Sequence, residues 1–155
     1  MPSEERVSFE KEGFILFMDS LREAFGAAGE SMVFHMSKQY GKYLIQSATN
    51  MYKNDPDQNG LTMDKHLEKV QSLGWGKMVF NKLDWAKGEF QVTLEDNIFH
   101  DYCAAGQEGM CFFIKGVLAG TIEEISGEKF NISELHCAKN GDPECVFRLK
   151  KIDNN

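Results

Sequence analysis

Basic residues are scarce in this chain. Seventeen Lys and Arg stand against twenty-four Asp and Glu, a formal charge of −7 over 155 residues. An acidic chain has no overall attraction for nucleic acid or for anionic membrane surfaces. The one basic run, Arg148, Lys150 and Lys151, reads as the solvated face of a last strand. Nucleotide-dependent and protease-type metal chemistry lack their signatures: there is no glycine-rich dinucleotide fingerprint, no P-loop and no HExxH. No apolar run is long enough to span a bilayer, and the charged N-terminus has no leader-like segment. The expected setting is therefore cytoplasmic and reducing. The four histidines, His35, His66, His100 and His136, are too scattered to define a catalytic triad.

What remains is an ordinary globular composition with two biases. Hydrophobic residues make up 42% and charged residues 26%, and the length suits one domain over residues 1–155 with a core of its own. The first bias is twelve Phe and eight Met against two Trp, enough adaptable apolar bulk to line a pocket or simply to fill a Phe-rich core. The second is four cysteines, which in a reducing setting read as thiols or metal ligands rather than disulfides.

Hydrophobic spacing divides the chain. Phe14, Phe17, Met18, Leu21, Ala24 and Phe25 recur at helical period and stop at Gly26. A second helix carries Val33, Met36, Tyr40, Tyr43, Leu44, Ser47 and Met51. A polar loop follows over residues 54–60, then a short helix with Met63, Leu67 and Val70 that ends at Gly74. The period then becomes two. Val79, Leu83 and Trp85 share one parity, Lys87-Gly88 suits a turn, and Phe90, Val92 and Leu94 alternate with polar residues. Ile98 to Cys103 is ambiguous. A fourth helix over about 108–125 holds Gly116 and Gly120, each costing about 1 kcal/mol relative to Ala, which a close backbone approach would justify. Two strands, 129–139 and 144–152, complete the chain. The order ααα-ββ-α-ββ predicts an α+β domain, with an antiparallel four-stranded sheet and helices packed on one face.

Cys111, Glu134, Cys137 and Cys145 form the candidate metal set. A β-bulge near Ser133 and Glu134 would aim Glu134 and Cys137 to one side. A turn at Asn140, Gly141 and Asp142 would oppose Cys137 to Cys145, at the roughly 4.5–5.5 Å Cβ spacing of paired strands. Tetrahedral zinc takes sulfur at about 2.3 Å, so such a pair can share an ion. Cys111 opens a helix, where the N-terminus favours the thiolate. Four protein ligands leave no open position, the mark of a structural rather than a catalytic zinc. Buried cysteine is also a common small hydrophobe. His136 competes with Glu134, but its parity turns it away from Cys137. Cys103 is placed outside the set, as a buried thiol.

These residues resemble the vinyl-4-reductase domain family. That family includes the aromatic-effector sensor domains of phenol- and xylene-responsive activators, and it is related in fold to vesicle-tethering subunits. The resemblance is strongest from Gly109 to Leu149, through Cys-Phe-Phe-Ile-Lys-Gly-Val-Leu-Ala-Gly and Cys-Ala-Lys-Asn-Gly-Asp-Pro-Glu-Cys-Val-Phe; it is weaker at the helix with Gly41. In the phenol-sensing members zinc is held by Cys, Glu, Cys and Cys, and the steps of 23, 3 and 8 residues here match that order. The resemblance implies structural zinc on Cys111, Glu134, Cys137 and Cys145, and a small-molecule pocket between helices and sheet. Phe80, Trp85, Phe90, Phe99, Phe112 and Phe113 are the candidate walls. The family's Trp and His that hold a phenolic hydroxyl do not align, leaving Trp75, Trp85, His66 and His100 as candidates by residue type. Cys103 is conceivable as an acylation site by analogy with the tethering subunits.

The leading expectation is a zinc-stapled sensor for a hydrophobic or aromatic small molecule, signalling through a protein partner or a homodimer built on the N-terminal helices. The alternatives are an accessory or reductase-associated protein acting on vinyl-bearing tetrapyrrole precursors, and an assembly scaffold.

Overall fold

A computed structural model describes residues 7–49, 58–106 and 109–153. The helices are α1 (Lys11–Phe25), α2 (Ala27–Thr49), α3 (Gln58–Ser72), α4 (His100–Ala104) and α5 (Gly109–Ser126). The strands are β1 (Lys77–Asp84), β2 (Glu89–Glu95), β3 (Phe130–His136) and β4 (Cys145–Lys151). All pairings are antiparallel, in the order β1-β2-β4-β3. The α+β architecture and its element order are as the periodicity predicts. The added element is α4, which settles the ambiguous stretch as a single helical turn ahead of α5.

The helix α5 is the axis of the core. Cys111, Phe113, Ile114, Val117, Leu118, Ala119 and Ile122 are all buried, so it is apolar around most of its circumference. It meets α2 at close range through glycines. A Cβ on Gly41 would run into the Val117 carbonyl, one on Gly116 into Ser37 and the Phe34 carbonyl, and one on Gly120 into the Lys38 carbonyl. The helix-propensity cost of Gly116 and Gly120 is thus offset by packing. A buried ion pair locks the crossing: Lys38 Nζ lies 2.8 Å from the Glu123 carboxylate, which also accepts the Phe130 N–H. Burial pushes that carboxyl up, but the Lys38 hydrogen bond and the Phe130 N–H outweigh it and hold it below its usual range.

The close crossing also explains where two helical stripes depart from expectation. On α2 the buried residues include Gly29, Val33, Ser37, Gly41, Leu44 and Ile45, while Met36 and Tyr43 are exposed. Large apolar residues mark a stripe in sequence; here small ones make the contact. On α1 the buried residues are Ile15, Met18 and Asp19, and Phe17 and Phe25 stand in solvent. Gly26, at φ 55°, reverses the chain, and Gly29 packs against the Leu21 carbonyl, so α1 meets α2 along a different face. Met51 and residues 54–57 of the expected loop lie outside the described residues; residues 58–60 belong to α3.

The sheet turns one face to the helices. Phe90, Val92 and Leu94 of β2 and Cys145, Phe147 and Leu149 of β4 are buried on it. On β1 a register shift between Phe80 and Lys82 places Met78, Phe80 and Leu83 opposite Leu94, Val92 and Phe90. The expected parity of Val79 is therefore the wrong one, because the bulge at Asn81 interrupts the alternation. Gly88, at φ 63°, makes the turn into β2.

Candidate metal centre and aromatic groove

Strand β3 positions two donors by a bulge. Ile132 and Glu134 pair with Leu149 and Phe147, on the core face. The register then shifts between Glu134 and His136, around Leu135, and His136 pairs with Val146 on the outer face. One extra residue brings Cys137 back to the side of Glu134. The bulge lies one residue later than the sequence suggests. His136 is exposed, with Nδ1 3.6 Å from Asp142, and so is turned away from the donors.

The strand also ends earlier than its pattern implies. After His136 the chain forms a 3₁₀ turn, Ala138–Asn140, closed by Gly141 at φ 85°. The Asp142 carboxylate accepts the Cys137 N–H at 2.9 Å. This turn aims backbone amides at sulfur: the Lys139 N–H toward Cys137 and the Ala138 N–H toward Cys145. Such donors stabilise a thiolate.

Cys111, in the first turn of α5, completes the convergence. Its Sγ, the Cys137 Sγ and a carboxylate oxygen of Glu134 lie within 4.8 Å of one another, close enough to hold a metal ion. Cys145, the fourth donor that the sequence expects, is buried near this triplet but is not one of the atoms within that distance, and the Glu134 charge acts on its thiol. All three cysteines are buried. Cys103 is a buried thiol outside that triplet, as the sequence suggests, with its Sγ 3.1 Å from the Cys111 Sγ.

The electrostatics favour a cation. Hydrogen bonds to Cys111 and Cys145, then burial, push the Cys103 thiol far up. Burial pushes Cys137 up, and the charges of Cys111 and Glu134 add to it. The hydrogen bond from Cys103 lowers Cys145 to about 6 despite its burial. Burial raises Glu134, with Lys115 Nζ 3.9 Å away as a partial counter-charge. Glu134 Oε1 is buried and has no hydrogen-bond partner. A divalent ion would supply that missing partner and draw the protons from the thiols. The donor set therefore fits a metal ion.

The second feature is a groove of about 780 Å³. Its walls are mainly aromatic: Phe9 and Phe14, Tyr40 and Tyr43 of α2, Trp75, Phe99 and Phe113, with Lys11 and Lys69 at its margin. Phe14 and Trp75 meet the Phe113 ring edge-on, with centroids 5.2 and 5.3 Å away. Of the six expected wall residues, Phe99 and Phe113 line this groove. Phe90 is instead in the core between Trp85 and Phe130, and Phe80 packs at the edge of that core. Phe112 lies under Lys115, whose Nζ is 4.5 Å from the ring centre.

The helical layer also buries His66, which the sequence offered only by residue type. His66 of α3 is 1% exposed, and burial, helped by nearby Lys69, lowers its pKa to about 4. Thr121 Oγ1 donates to the Val117 carbonyl, so His66 Nε2 is the donor in its 3.2 Å contact with that hydroxyl. His66 Nδ1 is then a buried acceptor without a partner. No helix among the described residues is long and apolar enough to cross a membrane.

Comparison with known proteins places these features. The vinyl-4-reductase domain family matches residues 90–151, the stretch that holds the whole donor set. MJ1460 of Methanocaldococcus jannaschii is 46% identical over 41 residues, which is 26% of this chain and 25% of that protein. The chain thus spans about a quarter of that relative. MJ1642 of the same organism is 23% identical over 90% of this chain and 76% of its own length. Among solved structures, the phenol-responsive sensory domain of the transcription activator PoxR, bound to phenol, superposes with a TM-score of 0.78. It has 15% identity, over 96% of this chain and 78% of that one. A vinyl-4-reductase family protein from M. jannaschii gives 0.61 at 18% identity, over 97% and 86%. A trafficking protein particle complex subunit 3 from Naegleria fowleri, covalently bound to palmitic acid, gives 0.57 at 13% identity, over 93% and 98%. Residues 90–151 therefore carry the vinyl-4-reductase domain match, within a fold that the whole described chain shares with a phenol sensor, a vinyl-4-reductase family protein and a trafficking-complex subunit.

Proposed function

We propose that this chain is a metal-stapled module that binds a hydrophobic or aromatic small molecule and passes that event to a partner protein or a second copy. The observation that carries the reading is the aromatic groove, in a fold that superposes on a phenol-bound sensory domain. Zinc, held by Cys111, Glu134, Cys137 and Cys145, would tie α5 to the β3–β4 turn and serve structure. Two short segments serve both features. Phe99 lines the groove and Cys103, one turn on, touches the donor Cys111; Phe113, two residues after Cys111, also lines the groove. A ligand that orders these rings would therefore act on the metal corner through α4 and the first turn of α5. For output, Leu16, Phe17 and Phe25 of α1 and Met32 and Met36 of α2 are exposed, and a surface of this kind suits a homodimer.

Thermal shift with a panel of phenols, aromatic acids and fatty acids tests the binding role. A ligand that binds the folded state at 100 times its Kd stabilises by about 2.7 kcal/mol, a rise of several degrees. A chain that shows no shift with any member, at saturating concentration, contradicts the reading. A response to fatty acids alone would favour an acyl-chain role, as in the palmitate-bound trafficking subunit.

A further inference from the structure

We propose that the aromatic groove selects a hydrophobic anion, an apolar body larger than one ring that carries a carboxylate. This rests on the small-molecule reading above and names the chemical class it takes. The charge of the walls carries the inference. Lys11, at the start of α1, and Lys69, in the last turn of α3, both line the groove, and no acidic residue is among its described walls. In a chain of net charge −7 that is a local reversal of sign. Lys69 is half-buried, and its Nζ donates to the Ser47 hydroxyl at 3.0 Å, which restrains the ammonium. Lys11 Nζ sits 5.4 Å from the centre of the Tyr102 ring. Its neighbour in sequence, Glu12, accepts from the Tyr102 hydroxyl at 3.1 Å and is not a wall of the groove.

Size and lining set the body. A cavity of about 150 Å³ holds benzene. The groove, at about 780 Å³, lies in the range of drug-sized ligands. Phe14, Tyr40, Trp75 and Phe113 make one continuous aromatic wall, with neighbouring ring centres 5.2 to 6.4 Å apart. Fused rings or an acyl chain would cover that wall. A neutral hydroxyl gains little from two ammonium groups, whereas a carboxylate gains charge-assisted hydrogen bonds.

Calorimetry of the full chain near neutral pH tests the proposal with probes that share one body: naphthoate, naphthalenemethanol and naphthylmethylammonium. A parallel set, octanoate, octanol and octylammonium, replaces the rings by a chain. In at least one set the carboxylate should bind about tenfold more tightly than the alcohol, with the ammonium weakest. Preference in the first set supports the proposal with a fused-ring body, and preference in the second supports it with an acyl chain. Alcohol or ammonium binding as tightly as the carboxylate in both sets overturns it and leaves the small-molecule reading intact. No binding by any of these probes overturns it too, and the wider thermal-shift panel then decides that reading by itself. Lys11→Met combined with Lys69→Met should bring the carboxylate-to-alcohol ratio to about one; a ratio that stays near tenfold overturns the proposal. If the double variant does not fold, Lys11→Met alone, at an exposed position, should lower the ratio by about threefold, and an unchanged ratio overturns the proposal.

Discussion

The metal corner and the aromatic groove meet at the same two segments but are assembled in different ways. The corner is built mostly by local chain geometry. One bulge at Leu135, one 3₁₀ turn and one helix start bring Glu134, Cys137 and Cys111 together, with Cys145 buried nearby. The groove is built by tertiary packing. Its walls come from the segment before α1, from α1 and α2, from the end of α3, and from α5. A corner of the first kind tolerates change around it and fails when a donor is lost. A groove of the second kind depends on every helix staying where it is, and its residues can be exchanged with small effect.

The sharpest way to break that contrast is to remove one donor. Cys137→Ser should destabilise the chain by more than about 4 kcal/mol, because metal affinity is coupled to folding. Urea unfolding checks this, and a loss under about 1 kcal/mol would place the corner on the same footing as the groove.

The helical side has its own sensitive point at His66. Its folded pKa, about 4, lies below its ordinary 6.5, so the folded state resists the proton. The stabilisation is present in full above about pH 6.5 and is lost as pH falls toward about 4, about 3 kcal/mol in all. Unfolding free energies across that window should decline in the unaltered chain and decline less in His66→Gln. Equal slopes would mean that His66 is not held neutral.

The shared segments predict a smaller, mutual effect. If ordering of Phe99 and Phe113 by a ligand stiffens α4 and the start of α5, that ligand should tighten zinc binding by about 5- to 150-fold, and zinc should tighten the ligand equally. Calorimetry of each in the presence and absence of the other measures it. Independent affinities would separate the two features entirely.

The same contrast governs how much the sequence reveals. The donor spacing was legible because strand parity and turn length act over a few residues. Cys103 was legible as a buried thiol, but its 3.1 Å approach to Cys111 is a tertiary contact that no period encodes. Two of the six expected groove walls, Phe99 and Phe113, line it, and both lie on segments that the core fixes; Tyr40 enters from α2, whose crossing with α5 is set by glycines rather than by large apolar residues, and Trp75 from the connection between α3 and β1. The α1 stripe held at Phe14, Met18 and Leu21 but not at Phe17 and Phe25, which match the helical period yet stand in solvent.

The smallest expected effect follows from that exposed face. Phe17, 51% exposed, should tolerate Phe17→Glu with a change in monomer stability within about 0.5 kcal/mol. Light scattering at micromolar concentration should show a dimer for the unaltered chain and a monomer for the variant. A monomeric mass for both removes α1 as an interface.

Native mass spectrometry of the chain purified without added metal tests the central claim most directly. The account predicts one zinc per chain, retained through purification, and a melting temperature that collapses when a strong chelator removes it. A metal-free chain whose melting temperature is unchanged in chelator would contradict it.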